Sequence, residues 1–567
     1  MMIKEFFENE VKKAVLKASD ELKLPNLNGV EISFMCEIPK NTEFGDFAIN
    51  VSSLSRYAKT APPVIANILK DYIKPVDFEI NVINGFINFK LQEKFLCRIL
   101  NEILDKKGNF GKINLGKGKK VNIEYVSANP TGPFHIGHGR WAAIGSALSE
   151  ILKYTGYNVF QEFYINDAGN QIQKLAKSLE LRVRELKGEK IDWESDENKD
   201  LYKGEYLISS AKKYIKDNKN LSYADFAKAD MLDLQKKLLI KFKTNFDLFF
   251  SETTLYESGE VDKCLKALYD SGKLYEKDGA VWFKSTDYTD LQDRVLKKSD
   301  GTNTYLTADI AYHKNKLDRG FDLLINIWGA DHHGYIQRMK ASIDALGYDS
   351  GRLEVLLGQL VNIIENGEAV RMGKRKKMVT LDELIDEVGV DATRYWMLMR
   401  SIDTTLDFDV ELAKTKSEQN PVFYAQYAYA RCSSVLRKAV EEKIDIETKE
   451  KLPPFMKQNE LDELFEKGRA DKLFDENEKS NEATKKLILK LEEFKAVIEA
   501  ASRLRAPYML CKYAQELAYD FHRFYNFTRV LGDDRYMSKM RLIIIYAVKI
   551  ILAQTFNLIK IEAPEKM

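Results

Sequence analysis

The stretch Val121–Arg140, VNIEYVSANPTGPFHIGHGR, decides the fold. Its first half is apolar and β-branched, the composition of a buried parallel strand. Asn129-Pro130-Thr131-Gly132-Pro133 then breaks regular structure and forces a tight loop. Beyond His135-Ile136-Gly137-His138, the residues Trp141, Ile144, Ala147, Leu148, Ile151 and Leu152 recur at helical spacing until Gly156 stops the helix. Tyr157–Ile165 reads as a second strand. The unit is strand, glycine-bearing loop, helix, strand: a βαβ crossover whose helix N-terminus can hold an anion. His135 and His138 fall at that positive end, and Gly137 lets a ligand approach the backbone. The chemistry suits ATP, with imidazoles donating to phosphate oxygens as charge develops in the transition state. Two histidines at this spacing could by themselves be core residues or metal ligands. The strand–loop–helix setting favours the phosphate site.

Working outward, 567 residues exceed one core and predict three or four domains. With 45% hydrophobic and 31% charged residues the chain is expected to be globular and soluble. Its most apolar run, Leu542–Leu552, is interrupted by Lys549 and reads as a buried helix, so no membrane partner is expected. Lys4, Glu5, Glu8 and Glu10 argue against a signal peptide. Cys36, Cys97, Cys264, Cys432 and Cys511 form no CxxC pair, which points to a reducing compartment and no structural zinc. Lysine plus arginine number 87 against 86 acids, so any nucleic-acid partner must be met by local basic patches.

Ser127–Arg140, SANPTGPFHIGHGR, resembles the HIGH signature of class I aminoacyl-tRNA synthetases in the form found in arginyl-tRNA synthetases, and the resemblance runs along nearly the whole chain. It implies a multidomain protein: an α/β Rossmann-type class I catalytic domain, an N-terminal α+β domain and a C-terminal all-α anticodon-binding domain. Residues 1–105 form the first of these, with helices expected at Phe6–Leu22 and Pro62–Tyr72 and strands at Val30–Cys36 and Ile87–Leu91. Its EFGDFA and GFINF stretches resemble the family's N-terminal domain, which touches the tRNA elbow; interdomain packing is the plainer alternative. Residues 106–120, rich in Gly and Lys, read as a linker. The catalytic domain follows over 121–410, with Asn166–Gln171 resembling the family's NDAGNQ stretch at a helix start. A helical insertion is expected near 180–255, and the nucleotide-binding fold restarts at a strand over Ala280–Lys284. A helix is expected from Ile310, a buried strand over Leu323–Trp328 and a further strand over Leu353–Asn362. Residues 411–567 read as the helical domain.

Three further stretches carry chemistry. Gly329-Ala330-Asp331-His332-His333-Gly334 follows the buried strand, at the edge where ligands collect in open α/β sheets. Adjacent histidines rarely ligate one ion together and no further ligand has zinc spacing, so the reading is the family's adenosine loop rather than a metal site. Arg371-Met372-Gly373-Lys374-Arg375 occupies the place of the KMSKR signature, with five basic residues among the seven from Arg371 to Lys377. Arg371 stands for Lys and Gly373 for Ser, which leaves the division of roles among the cations open. Phe423, Tyr424, Tyr427 and Tyr429 lie beside Arg431 and Arg437, and at this helical spacing they read as core. Residues 501–567 carry 11 basic and 6 acidic residues, an excess suited to phosphate, and Tyr546 and Phe556 are candidates to stack on unpaired tRNA bases.

The resemblance implies ATP-dependent attachment of L-arginine to tRNA(Arg) through an arginyl-adenylate. His135 and His138 would hold phosphate from one side, and Lys374, Arg371 and Arg375 from the other. Gly132, Phe134, Gly137, Gly329, Asp331, His332 and Met372 would complete the ATP site. Magnesium would accompany ATP without a protein cage. The arginine pocket would be built from Glu124, Ser127, Asn129, Tyr305 and Asp309, because a guanidinium is best met by carboxylates; Glu124 as a structural ion-pair partner and Tyr305 as a core aromatic are the alternatives. The expected protein is a cytoplasmic monomer. The rivals are another class I synthetase, a non-catalytic tRNA-binding paralogue and a plain nucleotidyltransferase.

Overall fold

The computed structural model describes residues 2–24, 32–217, 220–288, 290–365, 368–370, 380–441 and 469–567. At its centre is a five-stranded parallel sheet. In spatial order the strands are Leu353–Gly358, Leu323–Gly329, Lys120–Glu124, Asn158–Ile165 and Leu248–Ser251. The opening strand Lys120–Glu124 pairs with Asn158–Ile165 on one side and with Leu323–Gly329 on the other. Chain order reverses there, so the carboxyl ends of these strands splay into a crevice. The signature helix Ile136–Tyr154 crosses over the sheet as expected, and Gly156 at φ +86° ends it.

This helix packs on the sheet with almost no clearance. A Cβ on Gly145 would lie 2.3 Å from Tyr125 Cγ, so only glycine admits the tyrosine ring beneath the helix. Fourteen of its residues are buried, among them Arg140, as befits a helix covered on several faces.

Elsewhere the structure redraws some sequence boundaries. The N-terminal domain packs helix Ile3–Asp20 and helix Pro62–Tyr72 on a four-stranded antiparallel sheet. The strand expected at Val30–Cys36 falls partly outside the described residues and appears only as Cys36–Glu37. The expected linker 106–120 is packed: Phe110 is fully buried, and the Tyr154 hydroxyl donates to the Gly108 and Phe110 carbonyls. The expected helical insertion does contain helices Asn170–Leu186, Tyr206–Asp217 and Tyr223–Lys241 around their own small core. However, its last part, Leu248–Ser251, is the edge strand of the central sheet. Ala280–Phe283 does not restart the nucleotide-binding sheet; it is the middle of a separate three-stranded antiparallel sheet. Leu353–Asn362 is two strands, because the chain leaves the parallel sheet after Gly358 and begins another at Val361. The helix expected from Ile310 begins at Tyr305.

The C-terminal part consists of long helices Pro421–Glu441, Glu478–Arg503, Tyr508–Phe527 and Arg535–Leu558. The last is long and apolar enough to cross a bilayer, yet most of it is buried inside the protein. It is apolar all round because other helices surround it. Tyr546 and Phe556 lie on this helix at 4% and 0% exposure, so neither can stack on a base as expected. Apolar side chains that build the middle of a helical bundle are unavailable to a partner.

Candidate active site

The crevice at the strand ends opens into a cavity of about 370 Å³. Of the residues singled out by sequence, Glu124, Ser127, Asn129, His138, Asp309, Gly329, Asp331 and His332 line it. Arg371, Met372, Lys374 and Arg375 lie outside the described residues. Tyr305, at the first turn of helix Tyr305–Asp318, is 70% exposed and does not line the cavity, one turn outward from Asp309, so it is neither core nor part of the pocket wall.

The loop after the opening strand is strained. Val126 and Ser127 take φ of +70° and +41°, unfavourable for any L-residue and most of all for a β-branched one. The reversal brings the Ser127 hydroxyl 2.9 Å from Glu124 Oε1, to which it donates, while it accepts from the Tyr164 backbone N–H at 3.1 Å. The other oxygen of Glu124 is ion-paired with the fully buried Lys316, which also donates to Asn326 Oδ1. Glu124 therefore lines the cavity as a carboxylate whose charge is already matched. Asn129 donates to Gln171 at 2.6 Å, which fixes its amide at the rim.

His135 caps the signature helix. Its Nδ1 accepts from Gly137 N–H at 3.1 Å, and His138 Nδ1 accepts from His135 N–H at 3.3 Å. The rings stand 3.7 Å apart. Burial lowers the pKa of both, and His138, beside His135, falls to about 3. Both rings are thus neutral at physiological pH. With Nδ1 accepting, each carries its proton on Nε2, leaving one donor per ring at a helix N-terminus. Phe134, almost fully buried, packs 5.3 Å from the His138 ring, while Gly132 lies under the Tyr206 hydroxyl.

Asp309 has no cation at ion-pair distance among the described residues, Lys316 acting on it only from farther away. It accepts the Tyr335 hydroxyl, and burial raises its pKa to about 6, with Glu124 adding to the shift. Close by is Glu252, 4% exposed, at the end of the edge strand. Burial, then the charge of Asp309, raises Glu252 to about 7. Tyr164 lines the cavity, and its buried hydroxyl, without a close partner among the described residues, has Glu252 as its acidic neighbour, whose charge it favours. Sequence reasoning missed Glu252 because it lay within the expected helical insertion. The apolar run Leu248-Phe249-Phe250 just before it was the available sign of a strand end. Tyr312, His313, Trp141 and Trp328 also line the cavity and were missed, since each reads from sequence as an ordinary core residue of its element.

A second cavity, of about 580 Å³, lies on the helical domain and is lined by Tyr427, Arg431, Arg437, Lys438, Tyr525 and Met567, among others. The Arg431 guanidinium lies 4.0 Å over the Tyr525 ring and 6.0 Å from that of Tyr427. The aromatic stripe expected to be core is therefore divided. Tyr429 is buried, Phe423 and Tyr424 are half-buried, and Tyr427 is exposed.

Comparison with known proteins accounts for all three parts of the chain. Residues 3–91 match the arginyl tRNA synthetase N-terminal domain, residues 99–404 the class I tRNA synthetase (R) catalytic domain, and residues 425–567 the DALR anticodon binding domain. The arginine–tRNA ligase 1 of Halalkalibacterium halodurans is 43% identical over 549 residues, 94% of each chain. That of Bacillus subtilis is 41% identical over 585 residues, covering 100% of this chain and 99% of its own. Among solved structures, the Thermus thermophilus arginyl-tRNA synthetase shares the fold with a TM-score of 0.72 at 20% identity, covering both chains completely.

Proposed function

This chain belongs to the arginyl-tRNA synthetase family and is an ATP-dependent arginine–tRNA ligase, and on that premise we propose how its residues divide the reaction. The carboxylate of arginine attacks the α-phosphate of ATP, pyrophosphate leaves, and the arginyl group passes from AMP to tRNA. As an anion the nucleophile needs no general base, so catalysis is positioning and charge stabilisation. The observation that carries the reading is a pair of neutral imidazoles at a helix N-terminus, with Nδ1 occupied by backbone N–H groups, beside a cavity that holds Asp309. His135 and His138 donate from Nε2 to phosphate oxygens. Gly132, Phe134 and Gly137 shape the loop that brings the backbone close, and Gly329, Asp331 and His332 face the adenosine. Lys374, with Arg371, Met372 and Arg375, is read as the opposing side of the phosphate site.

Asp309 meets the guanidinium, with Glu252 and Tyr164 behind it. Ser127, Asn129 and the Lys316-paired Glu124 orient the α-amino and carboxylate end, and Tyr305, outside the cavity wall, is read as a substrate contact only from the exposed first turn of its helix. Such a pocket rejects uncharged or shorter analogues steeply, because its buried polar groups would be left unpaired. Magnesium would travel with the nucleotide, held by its phosphates rather than by a protein cage. The groove around Tyr427, Arg431 and Tyr525 suits an unpaired base, which arginine and aromatic faces hold by stacking. Domain limits at 1–105, 121–410 and 411–567, with the first meeting the tRNA elbow, complete the reading. So does a cytoplasmic location, which suits free thiols at all five cysteines, and the chain is read as a monomer.

The test is ATP–pyrophosphate exchange over each amino acid, with and without total tRNA. Exchange is expected with arginine alone. Exchange supported equally by another amino acid would overturn the pocket assignment.

A further inference from the structure

Arg140 follows His138 by two residues on the signature helix, and its side chain is 0% exposed. Among the described residues its guanidinium donates only to backbone carbonyls. Nη1 reaches Gln359 O at 2.9 Å and Leu360 O at 3.4 Å; Nη2 reaches Ser401 O at 2.8 Å and Thr404 O at 2.7 Å. No carboxylate stands at ion-pair distance among the described residues. A buried cation held by carbonyls, with Asp403 acting on it only from beyond ion-pair distance and its Nε left without a partner among the described residues, is costly, and an apolar side chain would fill the same space more cheaply. A planar fork of donors, however, can fix two separate chain segments at one distance and angle.

The two segments are significant. Gln359 and Leu360 lead directly into strand Val361–Glu365, and Ser401–Thr404 lead into strand Leu406–Asp409, which pairs in parallel with it. Strand Val361–Glu365 turns into Glu368–Val370 and so toward the basic run that begins at Arg371. Where the described chain resumes, Thr380 bridges to His135, and Leu381 N–H donates to Phe134 O at 2.8 Å. Leu381 also packs on Gly139, where a Cβ would stand 2.5 Å from its Cδ1. Both flanks of the basic run are therefore fastened to residues 134–140: one by backbone pairing, the other by the Arg140 fork.

We propose that Arg140 is a positioning residue for adenylate formation: by gripping four backbone carbonyls it sets the distance between the His135–His138 pair and the strand that delivers the basic run. It touches neither ATP nor arginine. Misplacement of reacting groups by an ångström costs on the order of 10²-fold in rate without weakening the binding of substrates held elsewhere. The inference rests on the phosphate-site reading above, and the experiment separates the two.

Arg140→Lys keeps the charge but cannot span four carbonyls, and Arg140→Gln keeps two donors without the charge. Each is compared with the unaltered enzyme in arginine-dependent ATP–pyrophosphate exchange with tRNA present, alongside circular dichroism and tRNA affinity. The expected result is a folded protein with arginine KM and tRNA affinity within roughly twofold of the unaltered values, and a kcat lower by about tenfold or more. A brace that merely stabilised the fold would move all three together, or none. Wild-type kcat in either folded variant overturns the proposal, as does a loss shared by KM and tRNA affinity. Failure of both variants to fold would reduce Arg140 to a scaffold brace and overturn it too. Absence of arginine-dependent exchange in the unaltered enzyme would instead sink the phosphate-site reading.

Discussion

Burial, with the charge of Glu124 adding to it, holds Asp309 at about 6, and burial with the charge of Asp309 holds Glu252 at about 7; a guanidinium, charged at every working pH, favours their ionised forms. Arginine binding should therefore release protons below about pH 7, so the arginine KM is expected to rise between pH 8 and pH 6 while that for ATP changes little. The same shifts bear on stability. A carboxyl whose folded pKa lies above its unfolded value binds more protons when folded, so stability falls as pH rises from the unfolded value through the folded one. Asp309→Asn removes that penalty. At pH 8 it should raise Tm, by an amount equivalent to at most about 3 kcal/mol, while weakening arginine by on the order of 2–5 kcal/mol through loss of a charged partner. A fall in Tm with an unchanged arginine KM would show the guanidinium to be held elsewhere. The histidines make a different prediction, because their contribution belongs to the transition state. His135→Ala or His138→Ala should lower kcat for exchange by roughly 10²–10³ with little change in fold, and unchanged kcat in either would remove it from the phosphate site.

At the scale of elements, the signature helix is positioned by contact rather than by propensity. Gly145 costs the helix intrinsic stability, yet its lack of a side chain lets Tyr125 lie beneath, with the tyrosine hydroxyl donating to Gln161 on the neighbouring strand at 2.8 Å. Gly145→Ala should destabilise the protein by about 1–3 kcal/mol, the usual cost of overpacking, despite alanine's better helix propensity; thermal unfolding decides the sign. The helix Pro421–Glu441 behaves oppositely, since one of its turns carries the exposed Tyr427 and the half-buried Arg431 at the cavity while Tyr429 joins the core. Tyr427→Ala or Arg431→Ala should weaken tRNA binding by roughly 1–3 kcal/mol, the worth of one stacked base, with the arginine KM in exchange unaltered. Equal tRNA affinity in both variants would take this groove out of the tRNA footprint.

At the scale of the molecule, the N-terminal, catalytic and helical domains share one continuous hydrophobic core, running from Phe7 through Ile144 to Ile561. A second core lies under the antiparallel sheet and helix Tyr305–Asp318. Arg394, fully buried, donates to Ser146 on the signature helix, to Phe242 O and to Ile559 O at the C-terminal end. Tyr395 donates to Cys511 O. Removal of residues 411–567 would strip Ile559 O from Arg394 and Cys511 O from Tyr395 and expose the apolar face they cover. The truncated chain is expected to lose exchange activity as well as charging, because the catalytic domain itself loosens. A soluble, exchange-active fragment would show the helical domain to be a separable module.

The stretch Val121–Arg140 determined the crossover unit and its helix by itself, because strand, turn and helix signals there are local: β-branched runs, a Pro-Gly loop and a 3.6-residue apolar period. The helical C-terminal part and the strand Leu323–Gly329 were legible for the same reason. Tertiary structure alone decided where three- and four-residue elements belong. Leu248–Ser251 is too short to carry a period, and only its pairing with Glu162–Ile165 makes it the sheet's edge and brings Glu252 to the cavity. Burial likewise could not be read for Tyr546 and Phe556, or for Tyr427, since an aromatic residue in an amphipathic helix suits a core or a nucleobase equally well. The arginine pocket was half legible: Glu124 and Asp309 were singled out, but Lys316, which ion-pairs with the first and acts on the second only from a distance, lies far along the chain from Glu124. Local periodicity writes the elements, and which charges meet is decided only when distant segments close on one another.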